Sequence, residues 1–108
     1  MPTVNVYTSG QSFVMQDEIM NNLKVLIAKE LTCGDIALSS DEISVRLLTV
    51  AGSMIGDIEV EISAHAFGDR ISRQDEICGI VRTFLMERLP DVSDIRVWLV
   101  LSELGHSW

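Results

Sequence analysis

The sequence predicts an α+β fold, in which two β-α-β units form one four-stranded mixed sheet with two helices on one face. Two observations predict it. The string Gln16-Asp17-Glu18-Ile19 recurs unchanged as Gln74-Asp75-Glu76-Ile77, 58 residues further on. Other positions respect that offset: Val4 maps to Ile62, Val6 to Ala64, Gly10 to Gly68 and Leu31 to Leu89. A chain that repeats its own pattern is two copies of one supersecondary unit. The second observation is the alternation of period-two and period-3.6 segments, in the order β-α-β-β-α-β. The repeat divides one domain, residues 1–108, into units 2–53 and 58–108.

Residues 3–8 alternate, with Val4 and Val6 on one side and Thr3, Asn5 and Tyr7 on the other, which predicts a strand. Ser9-Gly10-Gln11-Ser12 has turn chemistry, and Ser12 suits a helix N-cap. Ile19, Leu23, Leu26, Ile27 and Leu31 then recur at three- and four-residue steps, predicting an amphipathic helix over residues 12–31 that Gly34 ends. After the polar loop Ser39-Ser40-Asp41, residues 43–50 form the second strand. Ile43, Val45 and Leu47 make its core face, while Leu48 and Val50 render the second face apolar too. A strand apolar on both sides is covered on both sides.

Residues 51–57 link the units. Residues 58–66 alternate again, Ile58, Val60, Ile62, Ala64 and Ala66 against Glu59, Glu61, Ser63 and His65. The second helix is predicted over residues 72–89, with Ser72 and Asp75 in capping-box spacing and Pro90 as its stop. Its buried stripe is Ile77, Val81, Phe84 and Leu85. Residues 95–102 are the last strand, with Trp98 and Val100 apolar on its outer side. Each β-α-β half is expected to be a parallel pair with a right-handed crossover.

At 108 residues with 47% hydrophobic content, the chain can bury one small core, and some apolar surface is expected in a subunit interface. No stretch approaches a membrane span, and no signal peptide is read at the N-terminus, so the expected location is the cytoplasm. The net charge of −8 argues against nucleic acid. It leaves room for a small anionic ligand, which responds to local charge. Cys33 and Cys78 have no metal-ligand spacing and read as free thiols; His65 and His106 are isolated. Neither a metal nor a cofactor is expected.

Met1-Pro2 opening into a strand, Ser44-Val45-Arg46 at the head of the second strand, the segment Glu103-Leu104-Gly105-His106-Ser107-Trp108 after the last, and the turn Gly68-Asp69-Arg70-Ile71-Ser72-Arg73-Gln74 together carry a resemblance. The whole chain resembles the tautomerase superfamily, the amino-terminal-proline isomerases of the 4-oxalocrotonate tautomerase and 5-carboxymethyl-2-hydroxymuconate isomerase kind. The resemblance implies a homotrimer and a keto–enol or double-bond isomerisation of a small 2-oxo or 2-hydroxydienoic acid. It implies that Pro2, freed of Met1, is the general base. A free α-amine titrates near 8. Burial and nearby arginines lower that value toward neutrality.

Arg46, Arg70 and Arg73 are the candidates to hold a substrate carboxylate, since a guanidinium offers bidentate, permanently charged donors. The arginine that the family carries at the end of the first strand is absent here, and Arg70 is the candidate to stand in for it. Trp108 is the candidate pocket wall. Each has a plainer reading. Pro2 merely precedes an edge strand, Arg73 is a solvated first-turn side chain, and Trp108 is an apolar anchor. Arg82 and Arg88 fall on the polar side of the second helix and read as solvated. The competing function is a non-catalytic ferredoxin-like or tautomerase-fold oligomer that binds a ligand or partner.

Overall fold

The computed structural model describes residues 2–9, 17–32, 37–53 and 56–102. Strand β1 spans Thr3–Thr8, helix α1 Asp17–Leu31, strand β2 Ser44–Thr49 and strand β3 Ile58–His65; the short helix α2 (Gly68–Ser72) and helix α3 (Gln74–Arg88) precede strand β4, Ile95–Ser102. The sheet order is β2-β1-β3-β4. β1 runs parallel to β2 and β3 parallel to β4, while β1 and β3 are antiparallel, pairing Thr3 with Ser63 and Val6 with Val60. Each β-α-β half is therefore a parallel pair, and the two halves meet along their first strands.

Period and burial agree. Leu23, Ile27 and Leu31 of α1 recur every four residues, as do Ile77, Val81 and Leu85 of α3, and all six are fully buried. Beneath them lie Val4, Val6, Ile58, Val60 and Ile62, with Ile95 and Leu99 at the β4 side of the same core. Each such side chain contributes roughly 1.5–3 kcal/mol by leaving water. Acidic pairs begin both helices, Asp17-Glu18 and Asp75-Glu76, where the helix dipole favours negative charge.

Three local expectations differ from the structure. Helical backbone starts at Gly68, so α2 replaces what reads as a turn, and Arg73 closes α2 and opens α3. Ser72 therefore caps nothing; its hydroxyl donates back to the Asp69 carbonyl at 3.1 Å. The capping box lies instead at the 3₁₀ turn Ser40–Glu42, where Ser39 and Glu42 exchange side-chain and backbone hydrogen bonds. Leu47 shares the core-facing register of Val6 yet is 47% exposed, because β2 is an edge strand that the helices leave partly uncovered. The N-cap Ser12, the stop at Gly34 and Cys33 lie outside the described residues.

The β3 and β4 starts are clasped by Asp57. Its Oδ2 accepts from Ser93 Oγ at 2.9 Å and from the Asp94 amide at 3.1 Å, while its own N–H donates to the Asp94 carbonyl at 2.8 Å. Gly56 permits this approach, since a Cβ there would meet the Asp94 carbonyl oxygen at 3.1 Å. The Ser93 hydroxyl and then the Asp94 amide hold the Asp57 carboxyl below its ordinary range. A depressed folded-state value gives stability that is present above the unfolded value and lost as pH falls through the folded one. Thermal melts should therefore show a smaller acid-induced drop for Asp57→Asn than for the parent. An identical drop would remove Asp57 from the acid response.

Candidate active site

Pro2 is buried at the head of β1, and its carbonyl accepts from the Ser44 amide at 3.3 Å. β1 is interior, between β2 and β3, so this proline does not precede an edge strand as the plainer reading had it. A proline is tolerated there because it is the residue before the ladder begins and no N–H is demanded of it. The burial alternation of β1 places Pro2 with Val4 and Val6 on the helix side.

Arg70 lies at the same end of the sheet. The antiparallel register puts the end of β3 beside the start of β1, and there Arg70 Nη1 donates to the His65 carbonyl at 3.1 Å. Its Nε donates to the Leu31 carbonyl at 2.9 Å, capping the C-terminus of α1. The guanidinium carbon stands 4.8 Å from the Phe67 ring centre, and the residue is only 3% exposed. Two of its three nitrogens are thus committed to backbone carbonyls. Nη2 has no hydrogen-bond partner among the described residues.

Arg73 is fully engaged. Nη2 pairs with Glu30 Oε1 at 2.7 Å, Nη1 donates to the Glu30 carbonyl at 3.1 Å, and Nε pairs with Glu76 Oε2 at 2.9 Å. These bonds tie the end of α1 to the start of α3. Glu76 and Glu30 hold the Arg73 guanidinium firmly charged, and Arg73 in turn keeps the Glu76 carboxyl below its usual range. Arg73 is thus tied down by two carboxylates and a carbonyl rather than merely solvated.

Arg46 is exposed on the face away from the helices, directly opposite Asn5 in register. Pro2 and Arg70 are therefore together on one side of the sheet, and Arg46 is on the other. Trp108 and Met1 lie outside the described residues. Arg82 is exposed but not merely solvated, because its Nε donates to the Ile95 carbonyl at 3.0 Å. Arg96 pairs with Asp94 at 3.3 Å.

The open face also carries a cluster that the sequence reading did not single out. Glu61 Oε1 accepts from Tyr7 Oη at 3.2 Å and from Asn5 Nδ2 at 3.3 Å. Asn5 Oδ1 is buried without a donor among the described residues. Tyr7, Glu59, Glu61, Trp98 and Val100 line a cleft of about 470 Å³. Alternation puts each of these on the outer face. Only the cross-strand register, which pairs Asn5 with Glu61 and Glu61 with Trp98, brings them together. Among the described residues, no group of three or more His, Cys, Asp or Glu could hold a metal ion. None of the described helices is long and apolar enough to cross a membrane.

A parallel β-α-β pair, duplicated about an antiparallel seam with both helices on one face, defines a class of small α+β proteins, and solved structures of that class match this chain. It is the fold of the tautomerase superfamily. A macrophage migration inhibitory factor from Trichinella spiralis superposes with a TM-score of 0.68 at 12% identity, over 96% of this chain and 95% of its own. A 5-carboxymethyl-2-hydroxymuconate delta-isomerase gives 0.66 at 10% identity, over 100% and 87%. A fused 4-OT, described as an asymmetric trimer, gives 0.64 at 12% identity, over 96% and 91%. No family model and no curated protein matches the sequence itself.

Proposed function

We propose that the protein is an isomerase that interconverts keto and enol forms, or shifts a double bond, in a small 2-oxo or 2-hydroxydienoic acid. Pro2 is the general base once Met1 is removed. The observation that carries this reading is the burial of Pro2 at the head of an interior strand, in a fold shared with an isomerase. Burial disfavours the ammonium form of the amine, and the Arg70 charge held at the same end of the sheet opposes protonation further. A neutral secondary amine takes a proton from the carbon beside a carbonyl and returns it at the far end of the conjugated system.

The substrate carboxylate is held by Arg46 from a neighbouring subunit of a homotrimer, because within one protomer Arg46 and Pro2 occupy opposite faces. Closure over the open face is supported by Trp98 and Val100, which are 44% and 50% exposed, and by the donorless Asn5 Oδ1. A monomer at micromolar concentration in sedimentation would contradict this assembly. Turnover of phenylenolpyruvate tests the function. The parent should ketonise it, and Arg46→Ala should lower kcat/KM about tenfold, the worth of one charge-assisted hydrogen bond. No turnover by protein verified by mass to lack Met1 would overturn the proposal.

A second reading has one observation in its favour. Glu59 and Glu61 line the open-face cleft and repel an anion, which suits a non-catalytic binding module. That reading expects no ketonisation at any concentration.

A further inference from the structure

On the outer surface, away from the sheet, a groove of about 590 Å³ runs along α3 against Leu26 of α1. Its α3 wall is a single helical face. Asp75, Gly79 and Glu87 mark its length on one ladder, with Ile80 and Phe84 on the ladder beside it. From Asp75 to Glu87 the wall is about 18 Å long at roughly 1.5 Å per residue, enough for a helix of some three turns. Gly79 opens its middle, since a Cβ built there meets nothing within 4 Å. Val25, beside Leu26 in the chain, is 58% exposed, and Met86 is 41% exposed.

Charge identifies the occupant. The groove carries Asp75, Glu76 and Glu87 against a single cation, Arg88, and Glu76 is already paired with Arg73. Asp75 and Glu87 have no ion-pair partner among the described residues. Arg88 is itself folded onto the floor, its guanidinium carbon 3.8 Å from the Phe84 ring centre, so the apolar floor already accommodates a cation. The whole chain bears a charge of −8, which attracts a basic partner from a distance. The groove faces away from the open side of the sheet and stays free whatever covers that side.

We infer that this groove docks a basic amphipathic helix of a partner protein. The partner's apolar stripe lies over Leu26, Gly79 and Ile80, beside the Arg88 guanidinium stacked on Phe84, and its Lys or Arg side chains reach Asp75 and Glu87, the helix-in-groove mode of recognition. The proposal is independent of any chemistry at Pro2.

The test uses the full chain and a fluorescein-labelled synthetic helix of about 14 residues, with leucines at three- and four-residue steps flanked by lysines, read by fluorescence anisotropy. A matched helix with glutamate for each lysine is the control. The parent should bind the lysine helix and not the glutamate helix. Gly79→Leu fills the groove and should weaken binding more than about tenfold by steric exclusion. It should melt at or above the parent temperature, because it removes a glycine from a helix interior. Asp75→Asn with Glu87→Gln should weaken binding about three- to tenfold and flatten its salt dependence. Undiminished binding by Gly79→Leu would place the peptide elsewhere on the acidic surface and overturn the proposal. So would equal binding of the glutamate helix, or self-association of the parent that Gly79→Leu abolishes, which would give the groove to a second copy of this chain. If Gly79→Leu proves unstable, the charge variant alone decides.

Discussion

Replacing Pro2 by alanine is expected to lower the ketonisation rate about 10²–10⁴-fold, the usual cost of removing a general base. The loss should fall on kcat, because the amine acts on the proton in flight and not on the carboxylate. Alanine leaves a primary amine with some basicity, so a second variant sharpens the result. A glycine placed ahead of Pro2 turns the amine into an amide, which accepts no proton, and should reduce turnover to the buffer rate. Steady-state kinetics with phenylenolpyruvate on mass-verified protein read both. Unchanged kcat in either variant would remove Pro2 from the mechanism.

Replacing Arg70 by methionine is expected to destabilise the fold by about 2–4 kcal/mol, because it leaves two backbone carbonyls without their charged donors. Those carbonyls belong to Leu31, at the end of α1, and His65, at the end of β3. Methionine fills similar volume and keeps the contact with Phe67, so the loss isolates the hydrogen bonds and the charge. Urea denaturation measures it. If Arg70 instead held the substrate carboxylate with no structural part, stability would stay unchanged and KM alone would rise. Both readings are thus separated by two measurements on one variant.

The sheet and its two long helices were legible because each pattern is local. Alternation in Thr3–Thr8 and Ile58–His65, and four-residue steps in Leu23-Ile27-Leu31 and Ile77-Val81-Leu85, depend only on which face is buried. The 58-residue offset carries one helix onto the other to within a residue. It does not carry β2 onto β4, because the connection after α1 is longer than the one after α3. The fates of the arginines were not legible. Arg70 reads as a loop-to-helix cation, and nothing nearby in sequence announces that Leu31, 39 residues earlier, offers it a carbonyl. Arg73 reads as exposed until Glu30 of the other helix is placed beside it. Ser72 and Asp75 satisfied a capping rule at a position where the chain was already helical. Leu47 kept its register but lost its cover, since coverage is a property of the neighbouring layer and not of the strand.

The face assignments matter most for function. Alternation alone puts Pro2 and Arg46 on opposite sides of the sheet, so one protomer does not present both to a single small acid. The proposed assembly would resolve that, and among the described residues Leu48, Trp98 and Val100 are exposed apolar side chains on the face that would close. Burial, and then the Asp75 carboxylate, push the Cys78 thiol above the ordinary value, so it stays protonated at neutral pH.

The central claim is that Pro2 carries a free amine tuned by burial, and a ¹⁵N NMR titration of protein labelled at proline tests it most directly. The chain has two prolines, Pro2 and Pro90, and Pro90 is an amide that does not titrate. The account predicts that one proline nitrogen titrates, with a midpoint below the value of about 8 of an ordinary free α-amine. A midpoint at or above that value, or no titrating proline nitrogen at all, would contradict it.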